Sequence, residues 1–225
     1  MLFQPILLAF NFQATLEQLS ASFVNTLMIF VLTIIFSLPL GLVVAFCRMS
    51  KIKPLQLLTK LYISIMRGTP LMLQLVVVFF APYYVFGIKL SNDYRFWAVI
   101  IGFSINYAAY FAEIYRGGIE SMPRGQYEAS DVLGFSKLQT FFRIIFPQVI
   151  KNILPAVTNE VITLVKDTSL AFSIAYIEMF TTAKQLVATQ STIAPLFVAG
   201  AFYYVMNFVV AYIMERFEKK LSYYH

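Results

Sequence analysis

Charge is scarce in this chain. Of its 225 residues, 12% are charged and 60% are hydrophobic, with a mean hydropathy of +0.74. A soluble domain carries about 25% charged and about 45–50% apolar residues, so the composition specifies an integral membrane protein. Cysteine occurs once, at Cys47, which excludes an internal disulfide framework. In its apolar setting Cys47 reads as a small packed side chain. Histidine also occurs once, as His225. There is no G-x-x-x-x-G-K-[ST] phosphate loop, no H-E-x-x-H and no G-x-S-x-G. The chain is therefore not an ATPase of the phosphate-loop kind. No nucleophile–base pair or metal site for a membrane hydrolase can be assembled from it. Energy for any transport must come from a partner or from an ion gradient. The formal charge of +6 lacks the basic, aromatic-interleaved stripe of a nucleic-acid-binding domain. The N-terminal MLFQPILLAFNF has no positive n-region, and no small-residue cleavage site follows. Residues 5–18 are accordingly expected to form a short interfacial helix or loop retained in the mature chain.

What is present is a set of long uncharged runs. About 20 mostly apolar residues cross a bilayer as a helix. The runs between charges predict an all-α membrane protein with spans at about 20–47, 69–86, 96–115 and 194–212. The first contains Pro39, which is expected to kink it. A further stretch, about 152–176, is interrupted by Asn159, Glu160, Lys166 and Asp167 and would score poorly for hydropathy. It is still read as a span, because the chain must return across the membrane. The whole chain, 1–225, is then a single transmembrane domain of about five helices.

Lys and Arg alternate between rich and poor segments. Arg48, Lys51, Lys53, Lys60 and Arg67 fall in one rich segment, and Arg116, Arg124, Lys137, Arg143 and Lys151 in the next. The positive-inside rule then places the N-terminus outside and the C-terminus in the cytoplasm. Residues 54–66 put Leu55, Leu58, Leu61, Tyr62 and Ile65 on one helical face, with Pro54 in the first turn. This stretch reads equally well as a cytoplasmic-surface helix or as a plain extension of the second span.

The loop at about 120–148 is the most polar part of the chain. Pro123 suits the first turn of a helix over Gln126–Leu133, and Gly134 can take the left-handed conformation that ends it. Ser136 and Gln139 have the spacing of a capping box. A second helix should start there, show Leu138, Phe141, Phe142 and Ile145 on one face, and end near Pro147. Such order fits either a stiff connector or a docking element for a soluble partner.

On the span-4 helix, Asn159, Thr163, Lys166 and Asp167 follow i, i+4, i+7, i+8 spacing with Glu160 alongside, and are expected to share one polar face. In a membrane that face should point into the bundle or a water-filled path. Asn106, Tyr110 and Glu113 share a face of span 3. An amino-acid zwitterion needs an anion for its ammonium, which Asp167 can supply. It needs donors for its carboxylate, which Asn106, Thr168 and Ser169 can help provide. Lys166 and Asp167 point about 100° apart, so each should have its own partner.

The pattern Glu128-Ala129-Ser130, Gly134, Ile144, Phe146-Pro147 resembles the E-A-A-x3-G-x9-I-x-L-P loop of permease subunits of binding-protein-dependent ABC importers. Every spacing matches, with Ser130 in place of Ala and Phe146 in place of Leu. RGTPLMLQ (67–74), AAYFAEIYRGGI (108–119) and LVKDTSL (164–170) resemble the polar amino acid branch of that family, and the four motifs cover nearly the whole chain. The resemblance implies a type I ABC importer permease fold. It implies that Glu128, Ala129, Ser130, Gly134, Ile144 and Pro147 belong to a coupling element docked on a cytoplasmic dimer of ATP-binding subunits. ATP and Mg would bind there and none on this chain. It further implies an extracytoplasmic solute-binding protein, and a second permease, identical or related. KDTSL resembles the part of the path where some members bind substrate, which adds weight to Asn106, Tyr110, Lys166, Asp167, Thr168 and Ser169. Because Ala109 offers no extra acid beside Asn106, a neutral polar amino acid or cystine is expected over a basic one. The alternative is an ion-gradient-driven secondary transporter, supported by the intramembrane acids and opposed by the short chain without an inverted repeat. A structural subunit would have no use for mid-membrane polar groups.

Overall fold

The computed structural model describes residues 11–89 and 91–221, and among these every element is helical. They are α1 (Phe12–Arg48), α2 (Lys53–Gly68), α3 (Leu71–Phe86), α4 (Asn92–Glu120), α5 (Arg124–Val132) and α6 (Lys137–Gln139). A π-helical turn (Thr140–Ile145), α7 (Phe146–Asp167), a 3-10 segment (Thr168–Ile174), α8 (Met179–Gln190) and α9 (Ala194–Leu221) complete the order. Helices α1, α4 and α9 are long and apolar enough to cross a membrane, as is the bent pair α2–α3 taken together. Helix α7 is too polar to qualify on those grounds.

Helix α1 shows the inversion expected of a chain in lipid. Its buried positions are Thr15, Leu19, Ser22, Thr26, Ile29, Phe30, Thr33, Ser37, Gly41 and Ala45, mostly small or polar. Its exposed positions include Val24, Leu27, Val31, Ile35, Phe36 and Val43. Small residues let helices approach closely where no hydrophobic effect drives them together. Asn11 caps the helix through Ala14 N. The short interfacial helix or loop expected over residues 5–18 is thus replaced, from Phe12 onward, by the start of α1. Residues 5–10 lie outside the described residues.

Helix α4 is the centre. Phe103, Tyr107 and Phe111 are buried on it and join Ile29 of α1, Leu75 and Phe79 of α3, and Val149, Ile153 and Leu164 of α7 in one cluster. At Gly118 the absence of a side chain lets α7 come close. A Cβ there would collide with Ile153 Cγ2 and lie 3.0 Å from Val149 Cγ1. On the other side, α8 is tied to α1 by polar contacts. Ser22 Oγ lies 2.6 Å from Thr182 Oγ1, Asn25 Nδ2 donates to Ile177 O at 2.9 Å, and Met179 N donates to Thr26 Oγ1 at 3.1 Å. Buried Glu178 caps α8, accepting from Phe180 N and Thr181 N at 2.7 Å each, and also accepts from the Tyr203 hydroxyl of α9 at 3.0 Å.

The chain bends by 114° between α2 and α3, across Gly68-Thr69-Pro70. Thr69 precedes a proline, which disfavours helical backbone, and it is extended at φ −123°, ψ 150°. The bend rules out a plain extension of the second span. On α2 the buried residues are Thr59 and Ile63, while Leu58, Leu61 and Ile65 face outward.

Candidate functional sites: the α4–α7 loop and the α7 cleft

The loop builds itself from neighbouring residues. Helix α5 ends in a Schellman motif: Phe135 N donates to Ser130 O at 3.1 Å and Gly134 N to Asp131 O at 3.0 Å. Gly134 takes φ +74°, which residues with a Cβ adopt at a cost. Ser136 Oγ then accepts from Gln139 N at 3.3 Å, and Gln139 Oε1 accepts from Ser136 N at 2.9 Å, closing a capping box. Ser130 is buried and donates to Gln126 O at 2.7 Å, which explains the demand for a small residue there. Glu128 and Ala129 are exposed. Gln148 Nε2 donates to Ile144 O at 2.7 Å and lies 3.4 Å from Gln126 Oε1, drawing the two arms of the loop together.

Two expectations about the second arm are corrected. The helix does not end near Pro147. It passes through the π-helical turn into α7, with Pro147 directly after that turn. Nor do Leu138, Phe141, Phe142 and Ile145 share one environment, as residues on one face would. Ile145 is buried, but Leu138 and Phe142 are exposed because the π turn shifts the helical register. With Val132 (88% exposed) and Leu133 (72%), they leave an apolar tip uncovered beside Glu128.

The second site is a cleft of about 380 Å³ lined by Thr69, Pro70, Leu71, Asn106, Tyr107, Tyr110, Glu160, Thr163, Asp167 and Leu170. Three elements meet there: the α2–α3 break, the middle of α4 and the last two turns of α7. Tyr107, 2% exposed, donates its hydroxyl to Asp167 Oδ2 at 2.8 Å. Arg67 stacks over the Tyr110 ring at 5.3 Å and reaches Glu113 at 4.0 Å, while Glu113 is held by Arg116 at 2.7 Å. Glu113 thus belongs to an ion-pair cluster next to the cleft and not to its lining.

Of the residues expected at a substrate site, Asn106, Tyr110 and Asp167 are brought together. Lys166, Thr168 and Ser169 are not. Lys166 points outward, Thr168 is fully buried with its hydroxyl on Val165 O at 2.8 Å, and the Ser169 hydroxyl donates to Lys166 O at 2.8 Å. The predicted polar face of α7 splits. Glu160, Thr163 and Asp167, at i, i+3 and i+7, face the cleft, and Asn159 and Lys166 lie exposed. Asn106 also has a different task. Its Nδ2 donates to Gln74 Oε1 at 2.8 Å and to Met66 O at 3.1 Å, and Gln74 Nε2 donates to Met66 O and Thr69 O. Both amide protons hold the bend, so neither is left for a ligand carboxylate. Tyr107 and Gln74 escaped the sequence reading. The available signal was that a tyrosine or glutamine in the middle of a membrane segment must place its polar end on a partner.

An all-helical bundle with a polar cleft and an exposed, self-capped loop fits a membrane transport permease. Residues 37–223 match the family described as binding-protein-dependent transport system inner membrane component, and the chain belongs to that family. It is 36% identical over 197 residues to the putative glutamine transport system permease protein GlnP of Rickettsia felis, covering 87% of this chain and 89% of that one. It is 36% identical over 216 residues to the arginine transport system permease protein ArtQ of Bacillus subtilis, covering 94% and 97%. The L-cystine transport system permease protein TcyB of Bacillus subtilis is 36% identical over 208 residues, covering 92% and 87%. A crystal structure of an amino acid ABC transporter with histidines matches with a TM-score of 0.83 at 30% identity, over 94% of this chain and 99% of that one. Inward-facing structures of the MetNI methionine ABC transporter share the fold at 16% identity and a TM-score of 0.70, over 92% of this chain and 95% of that one. Membership of this family sets the ion-gradient alternative aside and places the chain in the inner membrane.

Proposed function

We propose that this chain is the membrane-spanning subunit of an ATP-driven importer of a polar amino acid. An extracytoplasmic binding protein delivers the substrate, and two cytoplasmic subunits bind and hydrolyse ATP with Mg. A second copy, or a related permease, completes the path. The chain crosses the membrane five times, with α7 and its 3-10 continuation as the fourth crossing. The N-terminus is outside and the C-terminus inside. Glu128, Ala129, Ser130, Gly134, Ile144 and Pro147 form the coupling element under this reading. The uncovered Val132, Leu133, Leu138 and Phe142 beside them are the surface that an ATP-binding subunit covers.

One observation carries the transport reading: the cleft presents Asp167 and Glu160 beside Tyr110, with no Lys or Arg in its lining and Arg67 stacked on Tyr110 next to it. Asp167 is the partner for the substrate ammonium, held in place by Tyr107. A neutral polar amino acid or cystine satisfies one carboxylate and leaves Glu160 over. That surplus favours a second reading, a basic amino acid whose side chain meets Glu160. The test is uptake by the reconstituted complex in sealed vesicles with binding protein, ATP and a panel of glutamine, cystine, arginine and histidine. ATP-dependent accumulation is expected, and accumulation independent of ATP would refute the proposal. Single cysteines at Ser91 and Thr189 in a Cys47→Ser background should label from outside, and one at Gln126 only from inside.

A further inference from the structure

Helix α2 divides its surface into three arcs. At about 100° per residue, Leu55, Thr59, Tyr62, Ile63 and Met66 fall on one side. This arc packs against Ala45 of α1 and Ala109 and Ala112 of α4, and the Tyr62 hydroxyl donates to the Ile105 carbonyl. A second arc holds Leu57, Leu58, Leu61 and Ile65, exposed by 68%, 65%, 56% and 46%. The third holds Lys53, Lys60 and Arg67 in a row, with Gln56 and Ser64 among them. Among the described residues no carboxylate pairs with Lys53 or Lys60, whereas Arg67 reaches Glu113 at 4.0 Å.

The 114° bend turns α2 away from α3. With α3 along the bilayer normal, α2 lies close to the membrane plane, across the ends of α1 and α4 that carry Ala45 and Ala112. A helix in that plane with exposed leucines on one arc and unpaired lysines on the next has the form of an interfacial membrane helix. We propose that α2 is a binding site for anionic phospholipid. Leu57, Leu58, Leu61 and Ile65 enter the acyl region, and Lys53 and Lys60 hold the headgroup phosphate. The choice of the inner leaflet rests on the orientation proposed above; the site itself does not. Met66, at the end of α2, offers its carbonyl to Asn106 and Gln74. The tilt that lipid imposes on α2 therefore reaches the Thr69–Pro70 wall of the cleft.

The test uses the full chain with its copurifying subunits in nanodiscs of phosphatidylcholine with added phosphatidylglycerol. Native mass spectrometry counts the phosphatidylglycerol retained. At about 1 kcal/mol per lysine, the double variant Lys53→Gln/Lys60→Gln should weaken retention roughly thirty-fold. Lys53→Arg/Lys60→Arg should keep it. Both lysines are exposed, so neither variant disturbs the core. Equal retention by the wild type and the glutamine variant would overturn the inference. So would release of a copurifying subunit by the glutamine variant with lipid retention unchanged, since α2 would then dock protein. Lipid retention is read without transport, so a failure of amino acid uptake bears on the proposed function and not on this site.

Discussion

At the turn of the α4–α7 loop, the bonds that make the structure join residues a few positions apart. Gly134 bonds back to Asp131, Phe135 to Ser130, and Ser136 and Gln139 bond each other. In the cleft, Tyr107 meets Asp167 across 60 positions, and Asn106 meets Gln74 across 32 and Met66 across 40. The turn at Gly134 is a local object, anchored to the bundle on its second arm by buried Ile145 and by Phe141 against Phe46 of α1, and the cleft exists only when three elements have already packed. Damage to the loop should therefore leave the bundle intact and break its connection to a partner. Damage to the cleft should change binding or the bend while leaving the loop able to dock.

The largest effect is expected at Gly134. A β-branched side chain at φ +74° stores strain of about 1–3 kcal/mol and reshapes the turn. Gly134→Val should insert normally, lose transport and lose the copurifying ATPase subunit. Gly134→Asn, which tolerates the left-handed region, should retain most of both. If the valine variant transports at the wild-type rate, the loop is only a connector. Next comes Asp167→Asn, which keeps the shape but removes the charge. Uptake should fall more than about ten-fold, a loss of about 1.4 kcal/mol, with assembly unchanged on gel filtration. An unaltered apparent affinity and rate would remove Asp167 from the substrate path.

Asn106→Ala should act through the bend. It strips Gln74 Oε1 of its donor, while Met66 O still accepts from Gln74. An unsatisfied buried acceptor costs about 1–3 kcal/mol, so a lower unfolding temperature in detergent should accompany a moderate loss of uptake. Loss of uptake with no change in unfolding temperature would show that Asn106 contacts substrate after all. Tyr107→Phe should be the mildest. Water in the cleft can replace the phenol on Asp167, leaving a change of about 0.5–1.5 kcal/mol, visible as a raised apparent KM at unchanged maximal rate. A collapse of the maximal rate would mean that the hydroxyl does more than orient the carboxylate.

The same contrast decides what could be read from the sequence. The loop was legible because caps, a left-handed glycine and a capping box are written within a few residues. Its only misreading was the π turn, where one helix flows into the next and Pro147 looks like a stop. The long uncharged runs showed where helices lie, but not that α1 starts by Phe12 or that α2 turns away sharply from α3. For the cleft, spacing grouped Asn159, Thr163, Lys166 and Asp167 on one face with Glu160 alongside, and of these Glu160, Thr163 and Asp167 line it. It could not reveal that Lys166 turns outward, that Thr168 and Ser169 spend their hydroxyls on the preceding backbone, or that Tyr107 and Gln74 sit opposite. Those facts depend on which faces of distant helices meet.

The uninterrupted passage from the loop through the π turn into α7 has a mechanical consequence. Pro147 and Asp167 stand at the two ends of one helix, about 30 Å apart at 1.5 Å per residue. Such a helix is a lever with its short end in the loop. A tilt of about 5° at that end carries Asp167 sideways by roughly 2.6 Å over this length, close to the reach of one hydrogen bond. The lever has one compliant point. Pro155 lies inside α7 and leaves the carbonyl four residues before it without its helical donor. Force applied below Pro155 is partly taken up in bending there, and force reaching the segment above it moves Glu160, Thr163 and Asp167 as one body.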